Sequence, residues 1–153
     1  MQRRNFLNLL LVGSAGAALS SRAWAYPVSR SDAQWRAMLS PAAYDVLRHQ
    51  GTEAPFSSPL DINYRKGTYS CAGCDHLLFS SDTKYDSHTG WPSFWKPLTN
   101  AILTSDDHSL DMERTEVHCI GCGGHLGHVF DDGPKPTGLR YCMNGVALRF
   151  QPV

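Results

Sequence analysis

Two C-x-x-C pairs constrain this chain more than anything else in it. Cys71-Ala72-Gly73-Cys74 and Cys119-Ile120-Gly121-Cys122 stand about 45 residues apart. Two such knuckles supply four thiolates, enough to fill a tetrahedral zinc site, and a closed site of that kind builds structure without doing chemistry. Gly73 and Gly121 lie beside the second cysteine of each pair, and Gly123 follows the later one. Small residues there let backbone N–H groups turn toward the sulfurs and share their charge. Two disulfides, or a redox pair, are the competing readings. A redox pair normally follows a strand and opens a helix in a βαβ setting, and no such pattern surrounds either one. One structural zinc held by Cys71, Cys74, Cys119 and Cys122 is therefore the expectation.

The fifth cysteine, Cys142, is left over. A free cysteine is commonly a buried, inert hydrophobe. Its neighbours point elsewhere. If the segment is a strand, Arg140, Cys142 and Asn144 project to one face, because residues two apart share a side. That groups a cation, a thiol and an amide, and a nearby cation favours thiolate over thiol. Gly124-His125-Leu126-Gly127-His128-Val129-Phe130 adds two histidines three apart. They are surface residues, spare metal ligands, or groups able to trade a proton near neutral pH. Gly90-Trp91-Pro92-Ser93-Phe94-Trp95 is either core packing or the apolar wall of a pocket.

A length of 153 residues suits one domain with a modest core. The chain carries 14 basic and 14 acidic residues, but the first 25 hold Arg3, Arg4 and Arg22 and no acid. The remainder has 11 basic (14 − 3) against 14 acidic, a net of −3. That balance argues against nucleic acid as a partner, which requires a basic face. Arg3-Arg4-Asn5-Phe6-Leu7, an apolar run to about Leu19, and Ala23-Trp24-Ala25 read as an export signal with an A-x-A cleavage site. The paired arginines resemble a twin-arginine signal. Residues 1–25 are thus expected to be a signal peptide and residues 26–153 the mature, periplasmic domain. The apolar run is too short and too glycine-rich for a stable membrane helix, so no lasting membrane insertion of the mature chain is expected.

Ser31-Asp32-Ala33-Gln34 is a capping box that opens a short helix, with Trp35, Met38 and Leu39 on one face. Ser40-Pro41 caps a second helix running to about Gln50 and stopping at Gly51. Thr52–Tyr64 reads as a loop. Beyond Gly67 the runs are short and rich in aromatic and branched residues. Expected strands are Gly67–Ser70, His76–Ser80, Ala101–Thr104, Ser109–His118, Leu126–Phe130, Tyr141–Asn144 and Val146–Gln151. The result is a small, mainly β domain of antiparallel sheets with a helical pair packed outside it.

Longer motifs then name a family. Asp86–Phe94 (D-S-x-x-G-W-P-S-F), Gly124–Pro134 (G-H-L-G-H-V-F-x-D-G-P) and Pro136–Asn144 (P-T-G-x-R-Y-C-x-N) resemble the B-type peptide methionine sulfoxide reductases. Trp35–Arg48, Thr52–Phe56 and the paired C-x-x-C match as well, so the resemblance covers nearly all of the chain after the signal. It implies a β-tent fold of two antiparallel sheets, one structural zinc, and reduction of methionine-R-sulfoxide in proteins or free. It implies Cys142 as nucleophile, His128 and His125 as groups that bind and protonate the sulfoxide oxygen, Trp91 against its methyl group, and Asn144 and Arg140 as positioning and activating residues. The product on the enzyme would be a cysteine sulfenic acid. Many members carry a second cysteine just before G-W-P-S-F, where Thr89 stands here; recycling is then expected to need an external thiol, thioredoxin-like or other. Gly145 stands where serine is common, a change expected to be minor. A monomer is the expected working unit. A zinc-ribbon binding module, or a binder of oxidised methionine that cannot turn over, are the rival readings.

Overall fold

The computed structural model describes residues 25–153. The twin-arginine stretch, and the cleavage motif up to Trp24, lie outside the described residues. The helical pair forms where its caps predict. Ser31 and Gln34 exchange backbone and side-chain hydrogen bonds to start α1 (Asp32–Met38). Ser40 accepts from the Ala43 N–H to start α2 (Pro41–His49), which ends on Gln50 in the left-handed conformation. Trp35 and Leu39 are buried as expected, but Met38 is 40% exposed. The helix is only two turns long, and the i, i+4 pair alone reaches the core.

Among the described residues nine strands build two antiparallel sheets. β1 (Gly67–Cys71), β2 (Leu77–Ser80) and β9 (Leu148–Pro152) form one, in the order β2-β1-β9. The other contains β3 (Lys84–Tyr85), β4 (Ser93–Phe94), β5 (Ile102–Asp107), β6 (Arg114–Cys119), β7 (His125–Phe130) and β8 (Arg140–Met143), in the order β3-β4-β8-β7-β6-β5. Their apolar faces meet in an aromatic core. Phe79 of β2 stacks on Phe94 of β4 with ring centroids 4.3 Å apart, and Tyr69 of β1 meets Phe94 edge-on at 5.0 Å. Leu78, Val117, Leu126 and Met143 complete it, all fully buried. The helices pack outside the sheets, with Leu47 of α2 against Gly124 at the start of β7. The expected fold class holds: mainly β, two antiparallel sheets, two helices.

Three expected strands move. The run Ser109–His118 does not begin as a strand, because the Asp107 carboxylate accepts the Ser109 N–H and turns the chain through Leu110 and Asp111 at positive φ. β6 starts only at Arg114, while β5 extends past Thr104 to Asp107, where the two ends are joined by an Asp107–Arg114 ion pair at 2.7 Å. Likewise Val146–Gln151 begins as a tight turn at Gly145–Ala147, since the Glu53 carboxylate takes the Gly145 and Val146 N–H groups at 2.6 and 2.9 Å. β3 and β4, two residues each, escape a reading based on alternation because they are too short to show a period.

Candidate active site

Both C-x-x-C pairs lie in hairpin turns, one joining β1 to β2 and the other β6 to β7. Each turn closes on itself: the Asp75 N–H donates to the Cys71 carbonyl, and the Gly123 N–H to the Cys119 carbonyl. The hairpins belong to different sheets, so the knuckles meet across the sheet junction. Their four sulfurs all lie within 4.8 Å of one another. Cys71 and Cys122 are 3.7 Å apart, Cys74 and Cys119 3.5 Å. A tetrahedron with metal–sulfur bonds of ~2.3 Å has edges of about 3.8 Å, so the cluster is sized for one metal ion. It is too wide for disulfides, and all five cysteines are free thiols. Hydrogen bonds shared with Cys119 push the Cys74 and Cys122 thiols down. A cation is what allows all four to ionise together.

Cys142 lies elsewhere, in the middle of the larger sheet. Its cross-strand partners are Ser93 on β4 and His128 on β7. Pairing carries the row further in both directions, to Tyr85 on β3, and to Glu116 on β6 and Ser105 on β5. Directly paired antiparallel residues project to the same side. Six strands therefore each contribute one polar side chain to a single line: Tyr85, Ser93, Cys142, His128, Glu116, Ser105. Residues two further along form the neighbouring line, with Asp107, Arg114, Phe130 and Arg140. Gly127 permits this approach, since a Cβ there would lie 2.1 Å from the Cys142 carbonyl oxygen.

A pocket of about 140 Å³ opens beside Cys142, with Trp91, His128, Phe130 and Asn144 in its wall. The Trp91 indole is anchored by its N–H, which donates to the Glu53 carbonyl at 3.1 Å. Asn144 leaves the strand after Met143, and its amide is used by the backbone. Its Oδ1 accepts from the Glu53 N–H at 2.9 Å, and its Nδ2 donates to the Leu126 carbonyl at 3.1 Å. Arg140 and Cys142 share a face as expected. The guanidinium lies over the Phe130 ring at 4.4 Å and makes two hydrogen bonds of 2.8 Å to Asp132.

The two histidines part company. His128 lines the pocket, and its Nε2 lies 2.7 Å from Asp107 Oδ2. Hydrogen bonds, chiefly from Ser109, hold that carboxyl well below the usual range; as an anion it only accepts, so His128 carries its proton on Nε2. His125 sits behind, buried, edge-on to His128 at 5.4 Å and outside the pocket wall. Its Nδ1 lies 2.6 Å from Glu116 Oε1, and its Nε2 has no partner. Burial pushes the His125 imidazole below its ordinary value, against the pull of Glu116. Around Cys142 the balance also differs from the expectation of an acidified thiol. Burial pushes it up, and the Arg140 charge and the Thr89 hydroxyl only partly oppose this.

Several residues that build the site are given no role in it by local sequence pattern. Glu53 clamps Trp91, Asn144, Gly145 and Val146 from a distant loop. Asp107, Arg114 and Glu116 reach His128 and His125 only through strand register. Thr89 approaches Cys142 Sγ at 4.0 Å. Gly145 is not interchangeable with serine: a Cβ there would lie 1.9 Å from Ser58 Oγ, so the neighbouring serine already fills that space.

A SelR domain matches residues 39–152. The peptide methionine sulfoxide reductase MsrB of Leptospira interrogans is 54% identical over 127 residues, covering 82% of this chain and 97% of its own length. That of Agrobacterium fabrum is 53% identical over 127 residues, covering 82% and 94%. That of Methanosarcina mazei is 52% identical over 124 residues, covering 80% and 89%.

Proposed function

The chain belongs to the SelR-domain family of peptide methionine sulfoxide reductases, and we propose that it reduces methionine-R-sulfoxide at Cys142, outside the cytoplasm, with an external thiol closing the cycle. It is an oxidoreductase, and repair of oxidatively damaged protein fits this activity. The observation that carries the residue assignment is the line Ser93–Cys142–His128, which sets thiol and imidazole side by side under the Trp91 wall.

A sulfoxide is a poor electrophile because its oxygen leaves badly. In this reading the substrate oxygen displaces Asp107 Oδ2 as the acceptor of the His128 Nε2 proton. His125, kept neutral by burial and turned by Glu116, backs the His128 ring. The methyl group lies against Trp91, and oxygen faces His128; an apolar wall on one side and a donor on the other select one epimer. Asn144 holds its turn against Leu126 and Glu53, and Arg140 partly offsets the burial of the sulfur. Two electrons pass from the Cys142 sulfur to the substrate sulfur, and the oxygen moves to Cys142: thiol plus sulfoxide gives sulfenic acid plus methionine. Two external thiols then return the sulfenic acid to thiol, forming a disulfide and water. Thr89 offers no sulfur for an internal route.

The metal at Cys71, Cys74, Cys119 and Cys122 is read as zinc, on the four-thiolate donor set and the tetrahedral spacing. Zinc there ties the two hairpins together and takes no part in the reaction. Residues 1–25 are read as a twin-arginine signal leading to the periplasm, on Arg3-Arg4 ahead of an apolar run and Ala23-Trp24-Ala25. No helix among the described residues is long and apolar enough to cross a membrane. The mature domain is read as a monomer.

A single-turnover assay with resolved sulfoxide epimers tests this reading. Without added thiol, the protein should release about one methionine per chain from the R epimer and none from the S epimer, leaving a sulfenic acid that a dimedone-type probe traps at Cys142. Cys142→Ser should release none while keeping its metal. Turnover by Cys142→Ser would overturn the assignment. Binding without any release would favour the rival, a module that holds oxidised methionine and does not reduce it.

A further inference from the structure

On the side of Cys142 away from His128, three hydroxyls form a chain. Thr89 Oγ1 lies 4.0 Å from Cys142 Sγ and 2.8 Å from Ser87 Oγ. Ser87 Oγ lies 2.7 Å from Ser93 Oγ, and Ser93 donates to the Trp91 carbonyl at 3.0 Å. Each hydroxyl has one hydrogen, so the last bond orients the rest. Ser93 spends its hydrogen on Trp91, so Ser87 must donate to Ser93, and Thr89 must donate to Ser87. Thr89 then shows Cys142 a lone pair, which suits a thiol that donates its S–H. A thiolate needs the opposite. Thr89 must give it a hydrogen, Ser87 must donate to Thr89, and Ser93 must swing from Trp91 to Ser87. Nothing but three hydroxyl rotations separates the two arrangements.

We propose that Thr89, Ser87 and Ser93 are a reversible hydroxyl relay that accepts from the Cys142 thiol and donates to its thiolate. Thr89 is the contact to sulfur; Ser87 and Ser93 are positioning residues that supply its hydrogen. The relay answers a problem set by the rest of the site. Burial disfavours the thiolate. The one cation on the same strand, Arg140, has its guanidinium engaged by Asp132. A chain that turns round with the charge stabilises the ion where a fixed acceptor would repel it. The relay also occupies the place from which a second thiol would attack, so the chain trades an internal disulfide route for a stabilised nucleophile.

The proposal takes Cys142 to be the reacting sulfur, as argued above, but its test needs no sulfoxide. The rate of Cys142 alkylation by iodoacetamide is followed against pH in the metal-loaded protein, by mass spectrometry of the peptide containing it. The other groups that face the sulfur stay constant through the series: Arg140 with Asp132, His128, Arg114, and Tyr85, whose buried hydroxyl has no partner. Thr89→Val keeps the shape and deletes the hydroxyl. Its midpoint should rise by about one pH unit, with roughly tenfold slower alkylation at neutral pH, as expected for one lost hydrogen bond to a charged sulfur. Thr89→Ser should match the wild type. Ser87→Ala, which leaves the contact residue in place, should slow alkylation a few-fold. Equal midpoints for wild type and Thr89→Val would overturn the relay, as would a Thr89→Ser shift as large as that of valine. If Thr89→Val does not fold, an unshifted Ser87→Ala overturns it alone. A flat series in a protein that still reduces sulfoxide removes the relay and leaves the function standing; a wild type inert toward sulfoxide does the reverse.

Discussion

The protein keeps its cysteines in two places built on opposite plans. At the knuckles, four cysteines within two four-residue turns meet each other, and the geometry of each half is local. At Cys142 one sulfur stands alone, and everything that defines its chemistry arrives from elsewhere: Ser93 and Thr89 from one side, His128 from the other, Arg140 from along the strand. The first arrangement brings hairpins of two sheets together around a cluster sized for one metal ion. The second keeps a thiol out of reach of any other. Company sets the difference: four sulfurs within 4.8 Å of one another can share a cation, whereas Cys142 lies among hydroxyls and one imidazole.

The sharpest way to break this contrast is to exchange serine for cysteine on each side. Cys119→Ser should cost the most. Zinc bound by small four-ligand sites contributes about 10–16 kcal/mol, comparable to or above the stability of a whole domain at ~5–15 kcal/mol. The variant should lose its metal and its cooperative thermal transition, as read by metal analysis and calorimetry. A folded, metal-loaded Cys119→Ser would mean that the cluster is not a four-thiolate site. Cys142→Ser, in contrast, should leave the melting temperature nearly unchanged.

Next in size is a change that makes the second region resemble the first. Thr89→Cys places a second sulfur about 4 Å from Cys142, near enough for modest side-chain rotation to reach disulfide geometry. After one equivalent of sulfoxide, mass spectrometry should find residue 89 joined to Cys142. Wild type should instead hold a free sulfenic acid. A Cys142 disulfide to any knuckle cysteine in active wild type would erase the distinction between the two regions.

The smallest effect tests how the region around Cys142 is held without a metal. Gly145→Ser drives a Cβ into Ser58 and toward the Glu53 carboxylate that grips the turn. Overpacking of this kind costs about 1–3 kcal/mol, and chemical denaturation should show it. Adding Ser58→Gly should recover most of the loss. Equal stability of Gly145→Ser and wild type would show that the Glu53 clamp yields easily.

Much of this was legible in the chain. Both helix caps, the hairpin placement of the knuckles and the shared face of Arg140 and Cys142 follow from patterns spanning four residues or fewer. The Ser109–His118 segment misled because its alternation continues through a turn that one side-chain hydrogen bond from Asp107 creates. The histidine pair looked equivalent at a spacing of three, which regular alternation would split between faces; a register shift beside Val117 and His118 brings both onto one face, with His125 buried against Glu116 behind His128 and only His128 at the pocket.

Sequence by itself determined the two helices, most of the strands and the four-cysteine set, because caps, turns and C-x-x-C spacing act through bonds and contacts within one or two turns of chain. Only the tertiary structure decided the site. The line from Tyr85 to Ser105 takes one residue from each of six strands, and strand register is set by the packing of whole sheets against a common core. Glu53 under Trp91, Ser58 against Gly145 and Thr89 beside Cys142 lie 38, 87 and 53 residues apart in sequence. No local rule pairs residues at such separations; burial of Tyr69, Phe79 and Phe94 between the two sheets does.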